Sequence, residues 1–221
     1  MTEELPMFPL GSVLFPGARV PLRVFEDRYT ALVRHLLAEP DPARRLFGSV
    51  AIREGFEVGD HGNQSLHRVG CRLQLSEVEE VGDGTFGVVA VARDRIRLDE
   101  LLTGGEFPVG RVEVLAEDDA PVAPQTTDRV RAVFTAYRAT LGRISTDPYS
   151  GRLPQDPTML SWVLAAAAPL PHHDRQRLLE AETTAVRLDL VTEMLRGELR
   201  AMNAIPSLPA TDVARTGWSV N

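Results

Sequence analysis

The chain has 221 residues, 43% hydrophobic and 25% charged, which suits one large domain or two small lobes with a real core. Its formal net charge of −7 gives no general attraction to nucleic acid or to an anionic membrane surface, and no apolar run is long enough to span a bilayer. All 24 basic residues are arginine, so a G-x-x-x-x-G-K-[ST] phosphate loop, which needs a lysine, is absent. Cys71 is the one cysteine; no internal disulfide can form, and its apolar strand position marks it as a small buried hydrophobe. The start, MTEELPMF, lacks a basic stretch followed by an apolar one, so a cytoplasmic location is expected, with no membrane contact.

The opening stretch, residues 6–29, carries Pro6, Pro9, Pro16 and Pro21 among large apolar residues. Proline gives a strand ladder no donor, so the spacing predicts short edge strands broken by fixed turns. Phe15-Pro16-Gly17 reads as a turn. Val20, Leu22 and Val24 alternate with Arg19, Pro21 and Arg23, a half-buried strand. The period then changes: Tyr29, Leu32, Val33, Leu36 and Leu37 fall at helical spacing, predicting a helix over 26–38 that stops at Pro40-Asp41-Pro42.

Leu46–Arg53 reads as the next strand, followed by a glycine-rich polar loop over 54–65. Val69, Cys71, Leu73 and Leu75 predict a further strand, Gly82-Asp83-Gly84 a hairpin, and Phe86–Leu98 and Phe107–Leu115 two more strands. Short strands around one helix fit a small, partly closed antiparallel barrel. Residues 116–125 are acidic and proline-bearing, a linker. Beyond them the pattern is helical. Val130, Val133, Phe134, Tyr137 and Leu141 form a stripe after a Thr127/Asp128 start. Asp156-Pro157 opens a helix through Met159, Leu160, Val163 and Leu164, a short helix spans about 172–180, and a last one, about 183–202, carries Leu188, Val191, Leu195 and Met202. The expected fold class is α+β: a β-barrel lobe with one helix over 1–118, a helical bundle lobe over 119–203, and a tail over 204–221 in which Trp218 stands out.

The run FPLGSVLFPGARVPLRVFEDRYTALV, residues 8–33, resembles the opening of the substrate-binding domain of the Lon ATP-dependent proteases. It repeats their order of a Pro-Leu strand, a Phe-Pro-Gly turn, a second Pro-Leu strand and a helix. FEDRY, 25–29, is similar to the stand-alone members of that family. The stretch 175–200 resembles the segment that closes the domain, and the likeness extends to about Met202. The resemblance implies a PUA-like barrel lobe and a role in recognising unfolded or peptide segments of client proteins. It covers neither the ATPase nor the peptidase domain, whose Ser–Lys dyad this lysine-free chain cannot build. The reading is therefore a non-enzymatic recognition module, an adaptor or decoy in protein quality control that acts with a protease, and is a monomer or weak dimer.

No catalytic, cofactor or metal constellation is found. His172-His173-Asp174 reads as a helix start, His61 and His67 flank a loop without a third ligand at motif spacing, and Ser161 sits in no G-x-S-x-G elbow. The candidate peptide-binding residues are Phe25, Glu26, Arg28 and Tyr29, where strand meets helix, with Phe56 on the 54–65 loop. The same cluster also reads as an ordinary helix start with Tyr29 in the core. Two alternatives stay open: an RNA-binding protein using the barrel through Arg68, Arg72, Arg93, Arg95 and Arg97, and a metal-dependent hydrolase using His61 or His172/His173. The acidic balance counts against the first and the motif census against the second.

Overall fold

The computed structural model describes residues 2–54, 65–143, 149 and 151–204. The chain divides into two compact units, Met1–Ala116 and Glu117–Asn221. Phe56, His61 and Trp218 lie outside the described residues.

The first unit contains β1 (Thr2–Pro6), β2 (Arg19–Val24), α1 (Asp27–Ala38), a 3-10 turn (Pro42–Arg44), β3 (Leu46–Glu54), β4 (Ser65–Gly82), β5 (Thr85–Leu102) and β6 (Val109–Leu115). The strands form one antiparallel sheet in the order β1-β6-β5-β4-β3, with β2 added to β5. The β4–β5 hairpin is its spine, and both strands run longer than the apolar pattern alone predicts. Its tip places Gly82, Asp83 and Gly84 in succession at φ 101°, 51° and 74°. Only glycine, or a short polar residue such as aspartate, enters that left-handed region cheaply. Phe86, Val88, Ala90 and Ala92 of β5 are buried on alternate positions. A register shift against β4 near Cys71/Leu73 then changes the phase, so that Arg95 and Ile96 are both buried.

The partly closed barrel expected from the sequence is not completed by a strand ladder. β1 and β3 are the two ends of the sheet path. The chain just after β1 meets β3 through two isolated parallel bridges, Met7 to Gly48 and Leu10 to Ala51. Phe8 N–H donates to the Gly48 carbonyl (2.8 Å), Leu10 N–H to that of Val50 (3.1 Å), and Ile52 N–H to that of Leu10 (2.9 Å). Pro6 contributes to the interruption: Phe8 and Leu10 turn their main-chain groups to β3, Pro6 shares their parity, and it has no N–H to continue the ladder. Side-chain packing fills this seam instead. Met7 is wholly buried with Leu5, Val50, Ile96, Leu98 and Val112. It fits there because Gly48 and Gly110 carry no Cβ, which at either position would collide with the Met7 thioether.

α1 buries Tyr29, Thr30, Leu32, Val33 and Leu36. Leu37, read from its spacing as part of the stripe, is exposed although it falls within the arc of the buried residues; it is the last residue but one of the helix, which ends at Ala38.

The second unit holds α2 (Pro124–Leu141), α3 (Pro157–Ala167), α4 (His172–Glu180) and α5 (Thr184–Ala204). α5 packs against each of the other three. α2 begins at Pro124, earlier than the Thr127/Asp128 start read from the sequence, because proline at the first helical position sacrifices no hydrogen bond. Asp156 caps α3 by accepting from Met159 N–H at 2.7 Å. Met159 itself is 61% exposed, and Trp162 takes the buried place expected of it. Leu160, Leu164, Leu178, Leu179, Leu188, Val191 and Leu195 form the interior. Arg187, which sequence periodicity did not single out, is fully buried among them.

Candidate functional site

Parity along β2 decides which of its groups are open. Ala92 N–H donates to the Ala18 carbonyl at 2.9 Å, while Gly17 N–H donates to Ala92. Ala18 therefore faces β5, and so do the even-numbered residues Val20, Leu22 and Val24 in the register that follows. Arg19, Pro21 and Arg23 turn their main-chain groups the other way. No other strand among the described residues pairs with β2 on that side. Pro21 costs nothing there, since it has no N–H to leave unpaired. The turn before the strand closes as its residues demand: Gly17 sits at φ 86° and Ala18 N–H returns to the Phe15 carbonyl at 3.1 Å.

A groove of about 270 Å³ runs along this edge. One wall is Phe8–Leu10 and Ser12; the other is β2 from Val20 onward, continuing through Phe25 and Glu26. Tyr29, buried to 2% exposure, and half-buried Phe8 meet edge to face with ring centroids 4.0 Å apart. Phe25 is 55% exposed at the groove's end.

Glu26 precedes α1 in an extended conformation, and its carbonyl accepts from Tyr29 and Thr30 N–H, both at 2.9 Å. Its side chain makes no cap. It turns instead to Arg28, with an Oε2 to Nη2 distance of 2.5 Å, and the Arg28 guanidinium lies 4.8 Å from the centre of the Tyr29 ring. Of the residues singled out in the sequence, Phe25, Glu26 and Tyr29 line the groove, and Arg28 stands beside it, held to Glu26. Sequence reasoning did not single out Phe8 or Arg23. Pro21 was the available signal, since a proline inside a strand marks an open edge.

A match to the family described as "ATP-dependent protease La (LON) substrate-binding domain" covers residues 4–197. The chain belongs to this family. The Lon protease of Phenylobacterium zucineum is 26% identical over 209 residues, 90% of this chain and 25% of that protein. The Lon protease of Porphyromonas gingivalis is 30% identical over 118 residues, 53% of this chain and 13% of that protein. The chain thus spans at most about a quarter of the curated relatives it matches. Solved structures that share the fold include two Lon N-terminal domains. A Lon N-terminal domain protein from Xanthomonas campestris superposes with a TM-score of 0.63 at 23% identity, covering 86% of this chain and 98% of that one. The N-terminal domain of a Mycobacterium avium complex Lon protease gives 0.60 at 15% identity, covering 88% and 98%.

The strand arginines of this Lon-type domain are occupied with their neighbours. Arg72 donates to Asp94 (2.5 Å) and Glu3 (3.1 Å). Its partial burial acts to lower its pKa, but the hydrogen bonds and charges of Asp94 and Glu3 prevail and hold the guanidinium above its ordinary value. Arg97 pairs with Glu113 and Asp99, Arg93 bonds the Gln74 side chain, and Arg68 donates to the Leu98 and Asp99 carbonyls. Arg95 is buried. These five therefore do not present a single exposed patch. His173 and Arg177 both meet Asp174 in the first turns of α4, and no group of three metal-ligating side chains occurs among the described residues. Nor does any described helix have the length and apolarity to cross a membrane.

Proposed function

We propose that this chain recognises extended polypeptide segments of client proteins along the open edge of β2, as a module that performs no chemistry of its own. The exposed Phe25 ring at the end of the groove, together with the unpaired strand edge, is the observation that carries the reading. Main-chain bonding to the edge gives sequence-tolerant affinity, and burial of apolar side chains against Phe8, Phe25 and Tyr29 adds to it. Family membership supports substrate recognition. Within that role the chain serves as an adaptor that brings clients to a protease, or as a decoy that withholds them.

Fluorescence anisotropy with a labelled unfolded polypeptide and a labelled RNA hairpin, each titrated at low and physiological salt, tests the proposal. Apolar contact and main-chain bonds respond weakly to salt, so polypeptide affinity changes less than about threefold. Binding to RNA is negligible. Phe25→Ala weakens polypeptide binding about tenfold, because one ring's burial is lost, and leaves stability within about 0.5 kcal/mol. Tight RNA binding with a steep salt slope, or polypeptide affinity indifferent to Phe25, refutes the proposal.

A further inference from the structure

We propose that the ligand adds to β2 as a strand, and that Arg23 selects segments in which an acidic residue is flanked by two apolar ones. This rests on the groove's reading as a polypeptide site and supplies its specificity.

Residues of both parities line the groove: Leu22 and Val24, whose main chain faces β5, and Pro21 and Arg23, whose main chain faces out. That is what a groove running along a strand edge requires. The outward edge offers the N–H groups of Arg19 and Arg23 and the carbonyls of Arg19, Pro21 and Arg23. A ligand carbonyl facing Pro21 finds no donor. The main-chain ladder is therefore short, and side chains decide which segments bind.

Successive side chains of an added strand point to opposite faces of the sheet. On the Val20, Leu22 and Val24 face, Val20 and Val24 are buried and Phe8, Leu10 and Tyr29 close the groove, so ligand side chains there must be apolar. On the opposite face the charges differ in their commitments. Arg19 is held by Glu77 at 2.8 Å and Glu26 by Arg28 at 2.5 Å. Arg23 is exposed, lines the groove and makes no ion pair among the described residues. It is the cation along this groove with charge to offer. A carboxylate opposite it completes a cross-strand pair, and the two-residue period places apolar residues immediately before and after that carboxylate.

The test uses the full chain and three fluorescein-labelled peptides of equal length: alternating Leu-Asp, alternating Leu-Arg, and alternating Leu-Asp with N-methylated backbone amides. The Leu-Asp peptide should bind about fivefold more tightly than the Leu-Arg peptide, the scale of exchanging attraction for repulsion at one exposed charge. Arg23→Glu should invert that preference and Arg23→Gln abolish it, both with unchanged thermal melting. N-methylation should weaken binding at least fivefold. A preference that survives Arg23→Glu overturns the role of Arg23, and equal binding of the N-methylated peptide overturns strand addition. Equal binding of the Leu-Asp and Leu-Arg peptides, still weakened by Phe25→Ala, refutes the charge selection and leaves polypeptide recognition standing. Failure of all three peptides and of unfolded protein to bind refutes both.

Discussion

The buried guanidinium of Arg187 makes the helical unit sensitive to one half-exposed carboxylate. Arg187 has no exposure. It donates to Glu117 (2.8 Å), to the Ser161 hydroxyl (2.8 Å) and to Thr184 (3.3 Å), and its plane stacks on Trp162 with 3.3 Å from carbon to ring centroid. Removing one member of a buried pair strands the other, typically at about 3–5 kcal/mol. The Glu117 side chain is 30% exposed, so water screens part of the loss, and Glu117→Gln keeps an acceptor; about 2 kcal/mol is expected. Arg187→Met removes the stranded charge. The double variant should therefore lose less than the sum of the two single losses, by at least about 1 kcal/mol. Urea unfolding followed by tryptophan fluorescence reads this directly. In a Trp218→Phe background Trp162 becomes the sole tryptophan, and it lies against the group being changed. A Glu117→Gln loss below about 0.5 kcal/mol, or strictly additive losses, would show that the pair does not support the folded state.

Two further substitutions test the packing and the turn, beside those already set out for Phe25 and Arg23. Leu195→Ala opens a cavity in the fully buried face of α5 and should cost about 2–5 kcal/mol by urea unfolding; a loss under about 0.5 kcal/mol would contradict its burial. Gly17→Ala meets no atom within 4 Å but must hold φ near 86°, so a cost of about 1–2 kcal/mol from backbone strain alone is expected, and a neutral result would refute the turn geometry.

What the sequence revealed, and what it hid, divides along the range of the interactions. The Phe15-Pro16-Gly17 turn, the Gly82–Gly84 hairpin and the Asp156 cap are local, and the residues that make them stand adjacent in the chain. Even the edge character of β2 was written in Pro21. The state of Arg23 was not, because it depends on Glu77 being spent on Arg19 and Glu26 on Arg28, one of those pairings 58 residues apart. Arg187 was invisible for the same reason. An arginine between Val186 and Leu188 looks like any solvated helix position until Glu117, 70 residues earlier, is seen to meet it. Met159 misled in the other direction: it fits the apolar period, yet it lies on the first turn of α3, where the stripe has not reached the interior. The barrel was expected from strand count, and strand count does not register that Pro6 denies the pairing with β3 a donor.

That seam gives the groove two walls of unequal stiffness. β2 is laddered to β5 along its whole length, so the amides it turns inward, those of Val20, Leu22 and Val24, should exchange with deuterium only when the sheet itself opens, while those of Arg19 and Arg23 on the open edge exchange freely. The opposite wall, Phe8 to Ser12, hangs from β3 by Phe8, Leu10 and their few bonds, anchored one residue upstream by the buried Met7 thioether. Its amides should exchange through local opening, orders of magnitude sooner. Under the proposed strand addition, a recess with one rigid margin and one compliant margin would admit side chains of different bulk without disturbing the strand that pairs with the ligand.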